Sequence, residues 1–406
     1  MNSAEREKNK MTSSNNQESQ LGPLYDVPEV QQASRMPGKV VLHDVTLRDG
    51  EQTPGVVFDA NARLTIARAL DALGVHRIEA GFPVTSPDDQ EGVTAIAHDG
   101  LKSEIWGFGR ALAGDVKVNA SCGVKAMTLE ISISDAKIAA YGLTREKVLT
   151  RVKESMSLAK SMGLKVAFMP VDLTRADMRF AEQVITEAVK EGANEVVIVD
   201  TIGVASPETI TYLTGRMRSW VDVPLNVHVH NDFGLGLANT LAALKAGAYC
   251  AHVSVNCLGE RAGNVDIAEV AVTLELLYGV RTGIHLNKLA ATAQLLAKLS
   301  GYAISLTKPI VGERIFTRES GGVVQQLVSS PPSVEPYDPS LVGLERAIVL
   351  GKKSGKHSIS HAVNRLGLKA TDEQMDAALA KVKELSTRVH RTVTDDEFRK
   401  ILSGGA

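Results

Sequence analysis

Cysteine is scarce in this 406-residue chain: three residues, Cys122, Cys250 and Cys257, with no C-x-x-C spacing. An odd count without that spacing supports neither a disulfide framework nor a thiolate zinc site, and a reducing cytoplasm is the simplest compartment. An excess of charge of either sign is lacking too. The formal net charge is −2, which leaves no electrostatic footprint for nucleic acid or an anionic membrane. No run approaches the roughly 20 consecutive apolar residues of a membrane span. The opening stretch MNSAEREKNKMTSSNNQESQ has no apolar signal-peptide core and is too acidic and amide-rich for a transit peptide. Residues 1–37 read as a flexible tail with little to bury against its ordering entropy. The chain as a whole is 44% hydrophobic and 23% charged, the composition of a soluble protein with a large core.

From Lys39 on, short apolar runs alternate with longer amphipathic ones. The strand candidates are VVLHDVTL (40–47), RIEAGF (77–82), EIWGFG (104–109), MTLEISIS (127–134), KVAFMP (165–170), EVVIVD (195–200), LNVHVH (225–230) and AHVSVN (251–256). Between them lie patterns such as NARLTIARALDALG and REKVLTRVKESMSLAKSMG, apolar at i, i+3 and i+4 and ending at glycine; these predict helices. Eight such units predict an α/β fold, a (β/α)₈ TIM barrel over 38–282. An open doubly wound sheet would want a glycine-rich nucleotide turn after the first strand, and none is there. Beyond residue 283 the pattern turns helical, then Gly/Pro/Ser-rich (308–345), then helical again, which predicts a mainly helical C-terminal region over 283–406 packing on a barrel, its own or a partner's. Polar groups gather after the strands: RDGEQ, Glu79, Arg110, Ser134-Asp135, Asp172, Thr201 and GERAGN, all on what would be one rim.

One rim stretch is more specific. In VHVHNDFGLGLAN (227–239) two histidines stand one residue apart at the end of a strand pattern. Side chains at i and i+2 share a face, so His228 and His230 can share a divalent cation. A carboxylate is wanted beside them. The first strand and its turn offer Asp44, Asp49 and Glu51; Asp49 lies at the strand's end, able to face the histidines, and Asn264 can add an amide oxygen. The first, seventh and eighth strands become neighbours once a barrel closes, so these ligands converge. Mixed N/O ligation suits Mn²⁺, Mg²⁺ or Zn²⁺ without deciding among them. Such an ion polarises a ketone as a Lewis acid. Arg48, next to Asp49, can support the developing alkoxide. Thr201 can hydrogen-bond a substrate carboxylate, and Glu79 and Gln52 can orient Arg48 or a metal-bound water.

At DVTLRDGEQTPG, IEAGFPVTSPDD, VDTIGVASPE, HVHNDFGLGLANTLAALKAGA and NCLGERAGN the chain resembles the 2-isopropylmalate, homocitrate and citramalate synthase family, whose relatives include hydroxymethylglutaryl-CoA lyases and metal-dependent pyruvate aldolases. ESGG, VEPYDPSLVG and VLGKKSGKHS resemble the region after the barrel in the synthases rather than the lyases. The resemblance implies a divalent ion held by Asp49, His228 and His230, often with Asn264, that chelates the carboxylate and ketone of a 2-oxo acid. It implies acetyl-CoA as co-substrate, deprotonated at its methyl, attacking the ketone, with hydrolysis of the thioester. It also implies a homodimer in which a partner's tail covers each barrel mouth.

The chain departs from the family where protons are moved. Val171 stands where the family carries a Glu ahead of an Asp, leaving Asp172; Gly322-Val323 replace Ile-His in the tail; Val334 replaces a Tyr, with Tyr337 three residues on; and Lys137 replaces a His after the fourth strand. Valine cannot transfer a proton, so Asp172, Tyr337, His357 or His361 are the expected substitutes. Lys137 suggests an acceptor with a second anionic group, a distal carboxylate or phosphonate, and Ser134 sits beside it. The expected activity is condensation of acetyl-CoA, or a close acyl-CoA, with a 2-oxo acid. Cleavage or decarboxylation of an oxo or hydroxy acid without acyl transfer is the alternative. The chain's ending near 406 leads to the expectation of an enzyme without a leucine-sensing regulatory domain.

Overall fold

Eight apolar runs form eight parallel strands that close on themselves in sequence order. They are β1 (Val41–Asp44), β2 (Arg77–Glu79), β3 (Glu104–Arg110), β4 (Ala126–Ser132), β5 (Lys165–Val171), β6 (Glu195–Asp200), β7 (Leu225–Val229) and β8 (Cys250–Val253). The expected TIM barrel is therefore present. β8 pairs with both β1 and β7, in register Val41↔Cys250 and Asn226↔Cys250, which brings the DVTLRDG, HVHND and GERAGN segments to one arc of the rim. The computed structural model describes residues 22–404, so most of the expected N-terminal tail lies outside the described residues; Pro28–Ala33 is helical. No helix among the described residues is long and apolar enough to cross a membrane.

The helices follow the periodicity and are capped as their sequences suggest. Met178–Glu191 buries Phe180, Ala181, Val184, Ile185 and Ala188 on one stripe; the Asp177 side chain accepts from Phe180 N–H, and Gly192 closes the helix at φ 120°. Two compact units result, one covering Asp26–Ile304 and the other the chain from Ser305 on. Leu289–Ser300, allotted from the sequence to the C-terminal region, falls in the barrel unit because it packs against the helix Ala60–Leu73. The second unit pairs β9 (Thr317–Arg318) in parallel with β10 (Ala347–Ile348). The helices Lys356–Arg365, Asp372–Val389 and Asp395–Leu402 contribute to its core, which includes Ile359, Val363, Val382 and Phe398.

The barrel interior is polar at its floor. Arg77 donates to both oxygens of Glu195 at 2.7 and 2.8 Å. Lys165 lies 2.9 Å from the same carboxylate, and Asn226 donates to it at 2.9 Å. Burial alone pushes Glu195 up, but Arg77, Lys165 and Asn226 outweigh it and hold the carboxyl below its ordinary value. Glu195→Ala leaves the Arg77 guanidinium buried without its main partner, at an expected cost of about 3–5 kcal/mol in urea unfolding at neutral pH. Because the folded carboxyl is depressed, its contribution is full above the unfolded value of 4.5 and is lost as pH falls through the lower folded value. The gap between wild type and Glu195→Gln is therefore expected to be constant near neutrality and to shrink only in acid. A gap that widens in acid contradicts this role.

Candidate active site at the barrel mouth

The strands' C-terminal ends enclose a polar cavity of about 220 Å³. Its base is Asp49, His228 and His230, whose ligand-capable atoms lie within 4.8 Å of one another. His228 and His230 share one face of the β7 extension, rings edge to face with centroids 5.3 Å apart. Their Nε2 atoms stand 3.3 and 3.5 Å from Asp49 Oδ2, a spacing that suits donors sharing one ion through bonds of about 2.0–2.2 Å. Burial holds His228 down at about 4, against the pull of Asp49, so its imidazole is neutral at physiological pH. For Asp49 burial pushes upward, but Arg48 and the two imidazoles prevail and the carboxyl stays ionised. A neutral imidazole at His228 and an ionised carboxylate at Asp49 are the protonation states that a divalent ion needs of such donors.

Asn264 lies beside these three. Its Nδ2 donates to Asp49 Oδ2 at 2.8 Å and to Leu258 O at 3.1 Å, while its Oδ1 is buried without a hydrogen-bond partner among the described residues. The loop that delivers it needs glycine: at Gly263, φ 75°, a Cβ would fall 1.6 Å from Cys257 O. The segment after the histidines is braced as well. Asn231 Oδ1 accepts from Gly236 N–H at the start of the helix Gly236–Lys245, and Asp232 forms a two-pronged pair with Arg261, which also donates to Thr201 O. Beneath the site the imidazoles continue: His252 lies edge-on to His228 and stacks on His43 at 4.4 Å.

Arg48 is 7% exposed and aimed from behind. Its Nε donates to Glu79 Oε2 at 2.5 Å, its guanidinium lies 4.1 Å over the Phe108 ring, and its Nη2 is buried without a hydrogen-bond partner among the described residues. Gln52, Lys137 and Thr201 line the cavity. Thr201 Oγ1 accepts the Asp172 N–H at 2.7 Å, which leaves the hydroxyl proton for a ligand.

Other expected residues are placed differently. Asp172 has a left-handed backbone, φ 65°, and its carboxylate is engaged by Arg175 at 2.8 and 2.6 Å and by the Ser134 hydroxyl at 2.5 Å. Ser134 also caps the helix Asp135–Ala140, accepting from Lys137 N–H. Neither residue is among those lining the cavity. Their hydrogen bond links the segments that follow β4 and β5. Tyr337 belongs to the second unit, where it packs edge-on to Phe316 and burial pushes its hydroxyl up to about 12. The cavity also takes in Glu260 of the GERAGN motif, and Glu130, Ser132 and Tyr141, which the motifs did not single out. Strand alternation offered one signal: Glu130 is a lone acid on the inward face of the apolar run MTLEIS.

Known proteins share this chain's sequence over most of its length. Residues 39–296 match the HMGL-like family, and residues 310–390 the homocitrate synthase post-HMGL domain-like family. The chain is 40% identical to homocitrate synthase AksA of Methanopyrus kandleri over 379 residues, 92% of this chain and 95% of that protein. It is 42% identical to the "Probable 2-isopropylmalate synthase" of Ignicoccus hospitalis over 381 residues, 92% and 94% of the two chains. With (R)-citramalate synthase CimA of Methanocaldococcus jannaschii it shares 39% over 347 residues, 85% of this chain and 70% of that one. Among solved structures, the HMG-CoA lyase of Bacillus subtilis superposes with a TM-score of 0.61 at 18% identity, over 66% of this chain and 96% of that one, a likeness of fold. Matched through its barrel, and in its C-terminal region to the domain that follows that barrel in homocitrate synthases, the chain belongs to the HMGL-like family.

Proposed function

We propose that the protein is a divalent-metal-dependent acyltransferase that condenses acetyl-CoA, or a close acyl-CoA, with a 2-oxo acid to give a 2-hydroxy-2-carboxymethyl acid and free CoA. The observation that carries this reading is the convergence of Asp49, His228 and His230 with Arg48 on one cavity, in a chain about 40% identical to proteins named as homocitrate and citramalate synthases. Asp49 Oδ2 and the two Nε2 atoms would hold the ion, with the unpartnered Asn264 Oδ1 as a further donor. When bound, a divalent ion supplies Lewis acidity that polarises the ketone of the acceptor.

The remaining work belongs to side chains. Arg48, held by Glu79, directs its unpartnered Nη2 toward the oxygen on which negative charge develops. The Thr201 hydroxyl donates to the acceptor's carboxylate, and the Gln52 amide lines the same cavity. The Lys137 ammonium, which has no ion-pair partner among the described residues, suits a distal carboxylate or phosphonate. A cytoplasmic homodimer accompanies this reading, and a strictly monomeric species in light scattering at micromolar concentration removes that part of it.

The test is direct. Purified protein with Mg²⁺ or Mn²⁺ and acetyl-CoA, given a panel of mono- and dianionic 2-oxo acids, is expected to release free thiol only when the acceptor is present. Consumption of an oxo or hydroxy acid without CoA release is the signature of a lyase and overturns the assignment.

A further inference from the structure

A condensation of this kind needs a group that removes a proton from the acyl methyl, and the rim presents a specific one. Three carboxylates line the cavity: Asp49, Glu260 and Glu130. Asp49 is engaged with Asn264 and the imidazoles, and Glu260 is exposed and lies beside Arg261 at 3.7 Å. Asp172, the acid expected from the sequence, is spent on Arg175 and Ser134. Glu130 differs from all of these. It sits on the inward face of β4, in register with Arg110 on β3 and Met169 on β5. Its half-buried carboxylate takes part in no hydrogen bond or ion pair among the described residues. One step along the same face, Ser132 is paired with Val171, so Glu130 borders the rim position where the side chain of β5 has no proton to give or take.

We infer that Glu130 is the base of the reaction: its carboxylate removes the proton from the methyl carbon of the acyl-CoA bound in this cavity. The electron pair of that C–H bond becomes the new C–C bond to the ketone carbon of the 2-oxo acid. The ketone oxygen takes up a proton and becomes the hydroxyl. Water then cleaves the thioester to a carboxylate and the CoA thiol, and Glu130 returns its proton to solvent. The surroundings fit the task. Burial pushes Glu130 above its ordinary value, partly offset by Arg48, Lys137 and Arg110, while Asp49 adds to the upward push. A carboxylate raised in this way is a stronger base than an exposed one. The apolar wall beside it, Phe82, Phe108 and Met169, can cover a methyl thioester and keep bulk water from the carbanion.

This inference rests on the acyltransferase reading, and the experiment separates the two. Glu130→Gln keeps the shape and removes the base. With the best 2-oxo acid of the panel at saturation, thiol release by this variant is expected to fall by about 10²–10⁴-fold in kcat, with KM for the oxo acid within about threefold of wild type. Exchange of acetyl-CoA methyl protons with D₂O, followed by NMR, is expected to fall in parallel, and Glu130→Asp should recover part of both. Metal-dependent thermal stabilisation should persist in both variants. A Gln variant with kcat within threefold of wild type overturns the assignment. So does a loss confined to KM, which marks a substrate contact. If the Gln variant does not fold, the Asp variant alone decides: unchanged kcat and exchange reject the base. Wild-type protein that releases no thiol with any 2-oxo acid fails at the earlier step and takes this inference with it.

Discussion

His228→Ala is expected to lower kcat/KM for thiol release at least ~10³-fold, because the Lewis-acid contribution of an ion at a developing alkoxide is worth several kcal/mol. His228 supplies one of the site's two imidazole donors, and its Nε2 lies 3.3 Å from Asp49 Oδ2. Without it the site keeps one imidazole and a carboxylate, too few donors to hold the ion at ordinary concentrations. The second consequence is thermodynamic. An ion present at 100 times its Kd stabilises the folded state by about 2.7 kcal/mol, and the variant should lose the rise in melting temperature that Mn²⁺ or Mg²⁺ gives the wild type. The metal-free variant should still fold, since the deleted ring is held neutral by burial and its loss strands no new cation. Asp49→Asn should behave similarly by removing the triad's one anionic donor. Near-normal turnover together with intact metal-dependent stabilisation in His228→Ala would falsify the metal reading.

Arg48→Ala should damage two properties at once, and a second variant can separate them. Removing a preorganised donor from a developing oxyanion costs about 10²–10³-fold in kcat. Glu79, fully buried and bonded to Arg48 Nε at 2.5 Å, would also lose its counter-charge, a loss of roughly 3–5 kcal/mol of stability for a broken buried pair. Pairing Arg48→Met with Glu79→Gln removes both charges and should restore much of the stability while leaving kcat depressed. Arg48→Lys keeps the charge but not the planar fork that reaches Glu79 and the cavity together, so it should fall between. Recovery of activity in the double variant would show that Arg48 only holds the rim together. A single variant with kcat within threefold of wild type would reject the role altogether.

The eight apolar runs and the stripes between them were enough to predict the barrel, because strand and helix periods are local properties and β8 closing on β1 follows from the count. The ligand set was legible for a related reason: the i, i+2 spacing of His228 and His230 puts both on one face, and closure makes neighbours of the strands that carry Asp49 and Asn264. The allotment of Leu289–Ser300 was not legible, since an amphipathic stripe shows that a helix needs an apolar partner but not which one it meets. The fate of the carboxylates was also beyond reach. Asp172 follows a strand just as Asp49 does, yet a left-handed backbone turns it to Arg175 and Ser134, while Glu130, inside an apolar run, faces the cavity with no hydrogen-bond or ion-pair partner among the described residues. The order of residues determined which side chains could reach the rim. Competition for hydrogen bonds among residues distant in sequence decided which of them was left with its charge unspent, and that competition exists only once the barrel has closed.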